Sequence, residues 1–531
     1  MESSTRLYSL LSSRHMNFFL SGTGLRKLHF ASSNSAAVSR HVRCKVRRRF
    51  GGHTTLRLPG AAADSPALLP SGVTCCSNRR PTSQLAVRTT FLCDHSVSYS
   101  TSALYTPPAE GENFPFVLKP ELDFDVLFLH QRTQLEESAQ ARNMSGIDIS
   151  QMLSLWQDVR RLEEQKKAME MERKSLNSRA KELSKQRGAA QVEKEEIKHK
   201  GRQLREDLKG LNSSLSDLMN SLYPLALALP NHLHPDVPRG SEDRVIETVG
   251  GELRHASSDD IKHSGVSSHH PLVHKGYAYT EGDLVLREMD LVSLVSRQLS
   301  NEGFSRFSLP DMYKPVALEA LGMSPENVDQ TYAIETSENI MHLSGTAAVG
   351  FYAYYMMTVL ETSDLPQRCF AVGRTYDPSE ESLTFSGLHH QFQQSQVEMF
   401  GLCEGSESSS SAVFSQYVQS LRRSFTDFGV PFRIVDVCGA RLLPSMHRKQ
   451  VFQVWIPSEG DYVEAGSVCS CTDYVSRRLK IRYPANPRES AAQSRRRKFV
   501  HTIHGSALKT SVVLSSILEH EALGAVRYGQ S

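Results

Sequence analysis

Two stretches of this chain hold residue types at spacings that could do chemistry: Cys469-Ser-Cys471, and a basic run from Arg173 to Arg187. Thiols one residue apart offer a soft ligand pair, but a zinc centre needs three or four donors. The other seven cysteines form no second pair, and no histidine lies close to this one in sequence. Neither a metal site nor a disulfide scaffold is therefore expected. The basic run holds Arg173, Lys174, Arg179, Lys181, Lys185 and Arg187 against one acid, Glu182. Such a run suits a nucleic-acid phosphate backbone. An ordinary solvated helix face looks the same on charge alone.

The elements around these residues are legible from periodicity. Leu155, Val159, Leu162, Met169, Leu176, Ala180 and Leu183 recur at alternating three- and four-residue steps. Arg187-Gly-Ala-Ala190 interrupts them, and Ile197, Leu204, Leu208, Leu211, Leu215, Leu218 and Leu222 resume the rhythm. Heptads on both sides of a short break predict an antiparallel coiled-coil hairpin. Such a seam serves protein assembly as readily as RNA binding, so the hairpin leaves the partner open. The prolines of Leu229-Pro-Asn-His-Leu-His-Pro-Asp-Val-Pro-Arg-Gly240 stop the helix and begin an extended linker.

The first hundred residues differ from the rest. Their only acids are Glu2, Asp64 and Asp94, against fourteen Lys and Arg and many Ser and Thr. That is a mitochondrial transit composition, with a basic tail of other use as the alternative. The 531 residues allow two or three domains, and no apolar run of about 18 residues predicts a membrane span. The net charge of +3 is too balanced to argue for nucleic acid by itself. The expected organisation is a transit segment over 1–110, a helical arm over 111–235 and a core over 236–531.

From about Phe124 to Leu523 the chain resembles the seryl-tRNA synthetases, a family of class II aminoacyl-tRNA synthetases. The linker is similar to the family's Pro-Asn-x-x-His-x-Asp-Val-Pro-x-Gly, which joins a tRNA-binding arm to the catalytic core. Leu291–Pro310 looks like motif 1, the family's dimer element. Cys369-Phe-Ala-Val-Gly-Arg-Thr-Tyr-Asp377 and Ser386-Gly-Leu-His-His-Gln-Phe392-Gln-Gln-Ser-Gln-Val-Glu398 look like motif 2. Tyr462-Val-Glu464-Ala-Gly-Ser467 looks like the nucleotide-side strand, and His504-Gly-Ser506-Ala-Leu508 with the apolar run after it looks like motif 3. The resemblance implies an α+β fold: an N-terminal antiparallel coiled-coil arm plus a class II core, an antiparallel sheet flanked by helices. It also implies substrate contacts at Thr346, Glu398 and Ser506, and nucleotide contacts at Glu464 and Ser467.

Several positions depart from the pattern. The motif 2 Arg-x-Glu, whose arginine holds the α-phosphate of ATP, is Asp377-Pro378-Ser379. The serine-binding Thr-x-Glu is Thr346-Ala-Ala348. Counting back from Glu398, two further arginines are Ser386 and His390, His-Gln-Phe is Phe392-Gln393-Gln394, and Lys is Gln396. The motif 3 arginine that grips the γ-phosphate is Val512. A carboxylate at 377 repels what an arginine would clamp. One lost electrostatic donor typically costs about 10²–10³ in rate, and a lost phosphoryl-transfer arginine about 10³–10⁵. The remaining candidate cations are Lys509, Arg374 and His390.

Three functions follow as expectations. The first is a mitochondrial-matrix protein like the catalytically degenerate seryl-tRNA synthetase-like paralogues, with no catalytic residues and no certain cofactor. It would act as a homodimer, or as a heterodimer with the active mitochondrial synthetase, with tRNA or other mitochondrial RNA as a further partner. The second is a divergent serine–tRNA ligase using ATP and magnesium. The third is a coiled-coil assembly protein.

Overall fold

The computed structural model describes residues 102–104, 118–185, 191–251, 253–256, 276–324, 327, 330–335, 340–378 and 387–524. Every helix and strand among the described residues falls in the unit Asp94–Ser531. The expected transit segment lies outside the described residues, save for 102–104.

The arm begins with a short helix, α1 (Arg132–Ala141), followed by two 37-residue helices, α2 (Ile149–Lys185) and α3 (Gln191–Leu227). Two ion pairs fix their sense: Arg179 meets Glu193 at 2.6 Å, and Lys200 meets Glu172 at 2.9 Å. Residue numbers that rise on one helix as they fall on the other mean an antiparallel hairpin. Val159, Leu183, Leu204, Leu208 and Leu222 are buried along the seam, whereas Ala180 is exposed. At the root, Phe124, Phe128, Trp156 and Tyr223 form an aromatic cluster, with Phe124 and Trp156 centroids 5.0 Å apart.

Eight strands form the central sheet: β1 (Arg244–Val249), β2 (Ser305–Phe307), β3 (Gln367–Tyr376), β4 (Gln393–Cys403), β5 (Phe432–Asp436), β6 (Arg448–Ile456), β7 (Asp461–Thr472) and β8 (His501–Lys509). Their order is β1-β5-β6-β7-β8-β4-β3-β2, antiparallel except for the parallel β2–β3 pair. Alternation sorts the side chains. Val397 and Met399 of β4 face one core cluster, while Phe400 and Leu402 face the other.

The first cluster packs three helices on the sheet: α4 (Asp283–Asn301), α5 (Glu407–Asp427) and α6 (Thr510–Ala522). Leu284, Leu291, Val295 and Leu299 bury one stripe of α4. Ser406 caps α5, its hydroxyl accepting from the Ser409 N–H at 3.3 Å. On the opposite face lies the helix Ala348–Tyr355, with Phe351 and Tyr352 fully buried. The observed architecture is the expected α+β arrangement.

Candidate active site

Glu398 is the hub of the predicted substrate side. It is 1% exposed, on β4. Thr346 Oγ1 donates to its Oε1 at 2.9 Å, and Gln396 Nε2 donates to its Oε2 at 2.6 Å. Ser506 lies opposite Glu398 across the β4–β8 pair. The buried Ser506 hydroxyl finds no hydrogen-bond partner among the described residues. The sheet therefore brings Thr346, Glu398 and Ser506 together. Ala348, fully buried, opens its helix with its N–H on Thr346 Oγ1 at 3.2 Å. A methyl there supplies no carboxylate.

The predicted nucleotide side is built differently. Asp377 follows β3 with an exposed side chain; its N–H donates to the Phe392 carbonyl at 2.9 Å. Ser379 and Ser386 lie outside the described residues. Val512, only 2% exposed, sits on α6 within the first core cluster. Arg374 lines a cleft of about 130 Å³ with Glu288, Gln394 and Ser511. That is well below the roughly 300–1,000 Å³ of small-molecule sites. Ser511 Oγ closes part of it by donating to Gln394 Oε1 at 2.7 Å. Phe392 rests against Tyr277, centroids 5.2 Å apart, and against Gly276. Gly276 has φ +93, and a Cβ there would come within 2.5 Å of the Phe392 ring.

Glu464 carries two lysines. Lys449 Nζ reaches its two oxygens at 3.1 and 3.2 Å, and Lys509 Nζ reaches Oε1 at 3.3 Å. Burial pushes this carboxyl up, but the two ammonium groups outweigh it and hold it at about 2. Lys509, a candidate substitute cation, is therefore engaged by Glu464. Ser467 is buried on the same strand, and its carbonyl would lie 1.9 Å from a Cβ at position 505, so only glycine lets β7 and β8 approach this closely. His390 packs against His389, with ring centroids 4.4 Å apart and planes tilted by 56°.

The reading that no histidine completes Cys469-Ser-Cys471 does not hold in three dimensions. The β7–β8 register sets His504 opposite Cys469. His504 Nε2 lies 3.5 Å from Cys469 Sγ and 3.6 Å from Cys471 Sγ. A gap of 33 residues hides this in the sequence; only strand pairing reveals it.

On the arm, Arg173, Lys174, Arg179 and Lys181 are all exposed, and Arg179 also meets Glu193. The Lys185 side chain and Arg187 lie outside the described residues. The linker is docked on the core. Asn231 Nδ2 donates to the carbonyls of Ser445 and Cys471, each at 2.9 Å. Arg478, which could have been read as a surface residue, is 3% exposed; it donates to the Leu227 carbonyl at 3.1 Å and ties the end of α3 to the core.

Comparison with known proteins matches two regions. Residues 122–233 match the seryl-tRNA synthetase N-terminal domain, and residues 332–521 match the tRNA synthetase class II core domain of the G, H, P, S and T enzymes. The chain is 30% identical over 394 residues to the mitochondrial serine–tRNA ligase of Mus musculus, covering 70% of this chain and 74% of that protein. It is 29% identical over 443 residues to the Bos taurus counterpart, covering 78% and 82%. Its fold resembles that of the Pyrococcus horikoshii seryl-tRNA synthetase complexed with ATP, at TM-score 0.66 and 19% identity over 75% of this chain and 94% of that one.

Proposed function

The chain belongs to the seryl-tRNA synthetase family, and we propose that within it this protein is a degenerate mitochondrial member that does not activate serine. One observation carries the reading. The two positions at which the family pattern requires phosphate-gripping arginines are an exposed aspartate, Asp377, and a valine, Val512, built into the apolar core. Neither can neutralise the charge that develops at a phosphate in transfer. Glu464, a nucleotide-side position by resemblance, is already neutralised by Lys449 and Lys509.

The protein then works by association. Motif 1, here α4 and β2, is the proposed dimer element, forming a homodimer or a heterodimer with the active mitochondrial synthetase. The open outer edge of β2 and the exposed Tyr354, whose ring lies 5.4 Å from Phe307, support this. The functional division is an arm over 111–235 that holds tRNA or another mitochondrial RNA, through the basic run Arg173, Lys174, Arg179, Lys181, Lys185 and Arg187, and a core over 236–531 that holds the partner. Localisation to the mitochondrial matrix is supported by the composition of the first hundred residues and by the mitochondrial relatives.

A divergent, active ligase using ATP and magnesium is the second reading. The joined Thr346, Glu398 and Ser506, with the Ser506 hydroxyl unpartnered, favours it, because a small polar ligand would complete that group. Serine-dependent ATP–pyrophosphate exchange on the full chain separates the two. No exchange by folded protein is expected; exchange above background would replace the first reading with the second.

A further inference from the structure

We propose that Cys469, Cys471 and His504 bind a zinc ion, a site independent of whether the protein activates serine. The geometry carries it. Zn–S bonds of about 2.3 Å and Zn–N bonds of about 2.0–2.1 Å at tetrahedral angles require S···S near 3.8 Å and S···N near 3.6 Å. The two sulfurs here are 3.7 Å apart, and they lie 3.5 and 3.6 Å from His504 Nε2. All three edges of one face of a zinc tetrahedron are present before any ion is added.

A hydrogen-bonded cluster of thiols and imidazole explains less. The ring nitrogen presents a single lone pair or a single N–H in its plane, and either serves one sulfur well. Two sulfurs at nearly equal distance from that nitrogen fit a lone pair aimed between them, where a shared cation would sit. Soft thiolates with an imidazole select zinc or copper(I) over the hard divalent ions. The nitrogen-containing set, in a site whose three residues are no more than 6% exposed, favours zinc.

The surroundings fit a metal ligand set. Glu398 Oε1 faces the other ring nitrogen, His504 Nδ1, from 3.7 Å, while Thr346 and Gln396 hold that carboxylate in place. A carboxylate behind a ligating histidine fixes its ring and tautomer and raises its basicity. The Asn231 side-chain amide holds the Cys471 carbonyl. The Ser445 hydroxyl approaches Cys471 and is otherwise unpartnered. Three protein donors leave a fourth position for water or an added ligand. The other clusters of potential ligands, His234–Glu407–His447 and His389–His390–Glu459, contain no thiolate.

The test is the metal content of the purified full chain after dialysis, by inductively coupled plasma mass spectrometry, beside a Cys469→Ser, Cys471→Ser double variant and a His504→Ala variant. About one zinc per chain is expected in the wild type, with at least a tenfold loss in the double variant. Should the variants not fold, the metal-stripped wild type is titrated with cobalt(II). Thiolate-to-cobalt charge-transfer bands saturating at one equivalent support the site. Folded wild type with reduced thiols and only trace zinc overturns it. So does zinc retained undiminished by the folded double variant, copper in place of zinc, or a mass 2 Da low from a Cys469–Cys471 disulfide.

Discussion

Glu398 and Glu464 stand on the same eight-stranded sheet, yet their carboxylates are satisfied in opposite ways. Glu398 is 1% exposed and hydrogen-bonded by neutral donors, the Thr346 hydroxyl and the Gln396 amide, with His504 Nδ1 as its ring-nitrogen neighbour at 3.7 Å, and the Ser506 hydroxyl across the strand pair finds no partner among the described residues. Glu464 is held by two ammonium groups, and Val512 nearby in motif 3 is packed away in apolar core. The first region keeps a buried hydroxyl without a partner among the described residues. The second has turned its charge inward. The two carboxylates can be satisfied so differently because they depend on different strands and different partners.

The strongest way to break that contrast is to restore the missing motif 3 cation. Val512→Arg inserts a charge where the wild-type side chain is 2% exposed among apolar neighbours. An unpaired buried charge costs roughly 3–5 kcal/mol, so this variant is expected to lose that much stability or fail to fold by chemical denaturation. A stable Val512→Arg protein would mean that the region can still reopen toward solvent.

Exchanging the two carboxylates sharpens the contrast. Glu398→Ala strands the Thr346 and Gln396 donors and is expected to cost on the order of 2–3 kcal/mol. Glu464→Gln leaves two lysines, 21% and 25% accessible at their side chains, without their shared anion, and is expected to cost about 1–2 kcal/mol, less than the full shift of its carboxyl implies because solvent screens the pair. Equal losses in denaturant titrations would erase the distinction between the two regions.

Acid acts on buried histidines and on Glu464 in the same direction but in different pH windows. Burial pulls His447 down to about 3, with His232 beside it, and pulls His389 down to about 4, with His390 beside it. Each folded value lies below the ordinary 6.5, so the unfolded chain takes up protons first. Stability is present above about pH 6.5 and is lost as pH falls, by about 1–2 kcal/mol per histidine between pH 7 and 5. Glu464, held at about 2 against an ordinary 4.5, contributes above pH 4.5 and is lost only below it. Wild type and Glu464→Gln are therefore expected to share the slope of stability between pH 7 and 5 and to diverge below about 4.5. Divergence already at pH 6 would contradict the lysine clamp.

The smallest effect is at Asp377. Its side chain is exposed, so Asp377→Arg is expected to change stability by no more than about 0.5 kcal/mol. Serine-dependent exchange should remain absent, because Val512 still supplies no second cation. Exchange gained from this single change would shift the weight of the defect onto Asp377 alone.

The sequence by itself determined the arm and the linker. Heptad spacing is local, and α2 and α3 follow it over 37 residues each; one seam position, Ala180, is exposed instead. Asp377 and Val512 stand where the resemblance implies arginines, and that expectation also needs only the sequence. Tertiary structure alone decided what those residues face. Lys449 and Lys509 converge on Glu464 from 15 and 45 residues away, and His504 reaches Cys471 across 33. Helix contacts recur every three or four residues along one segment, whereas cross-strand neighbours are set by the register of separate segments, which no spacing in the chain encodes.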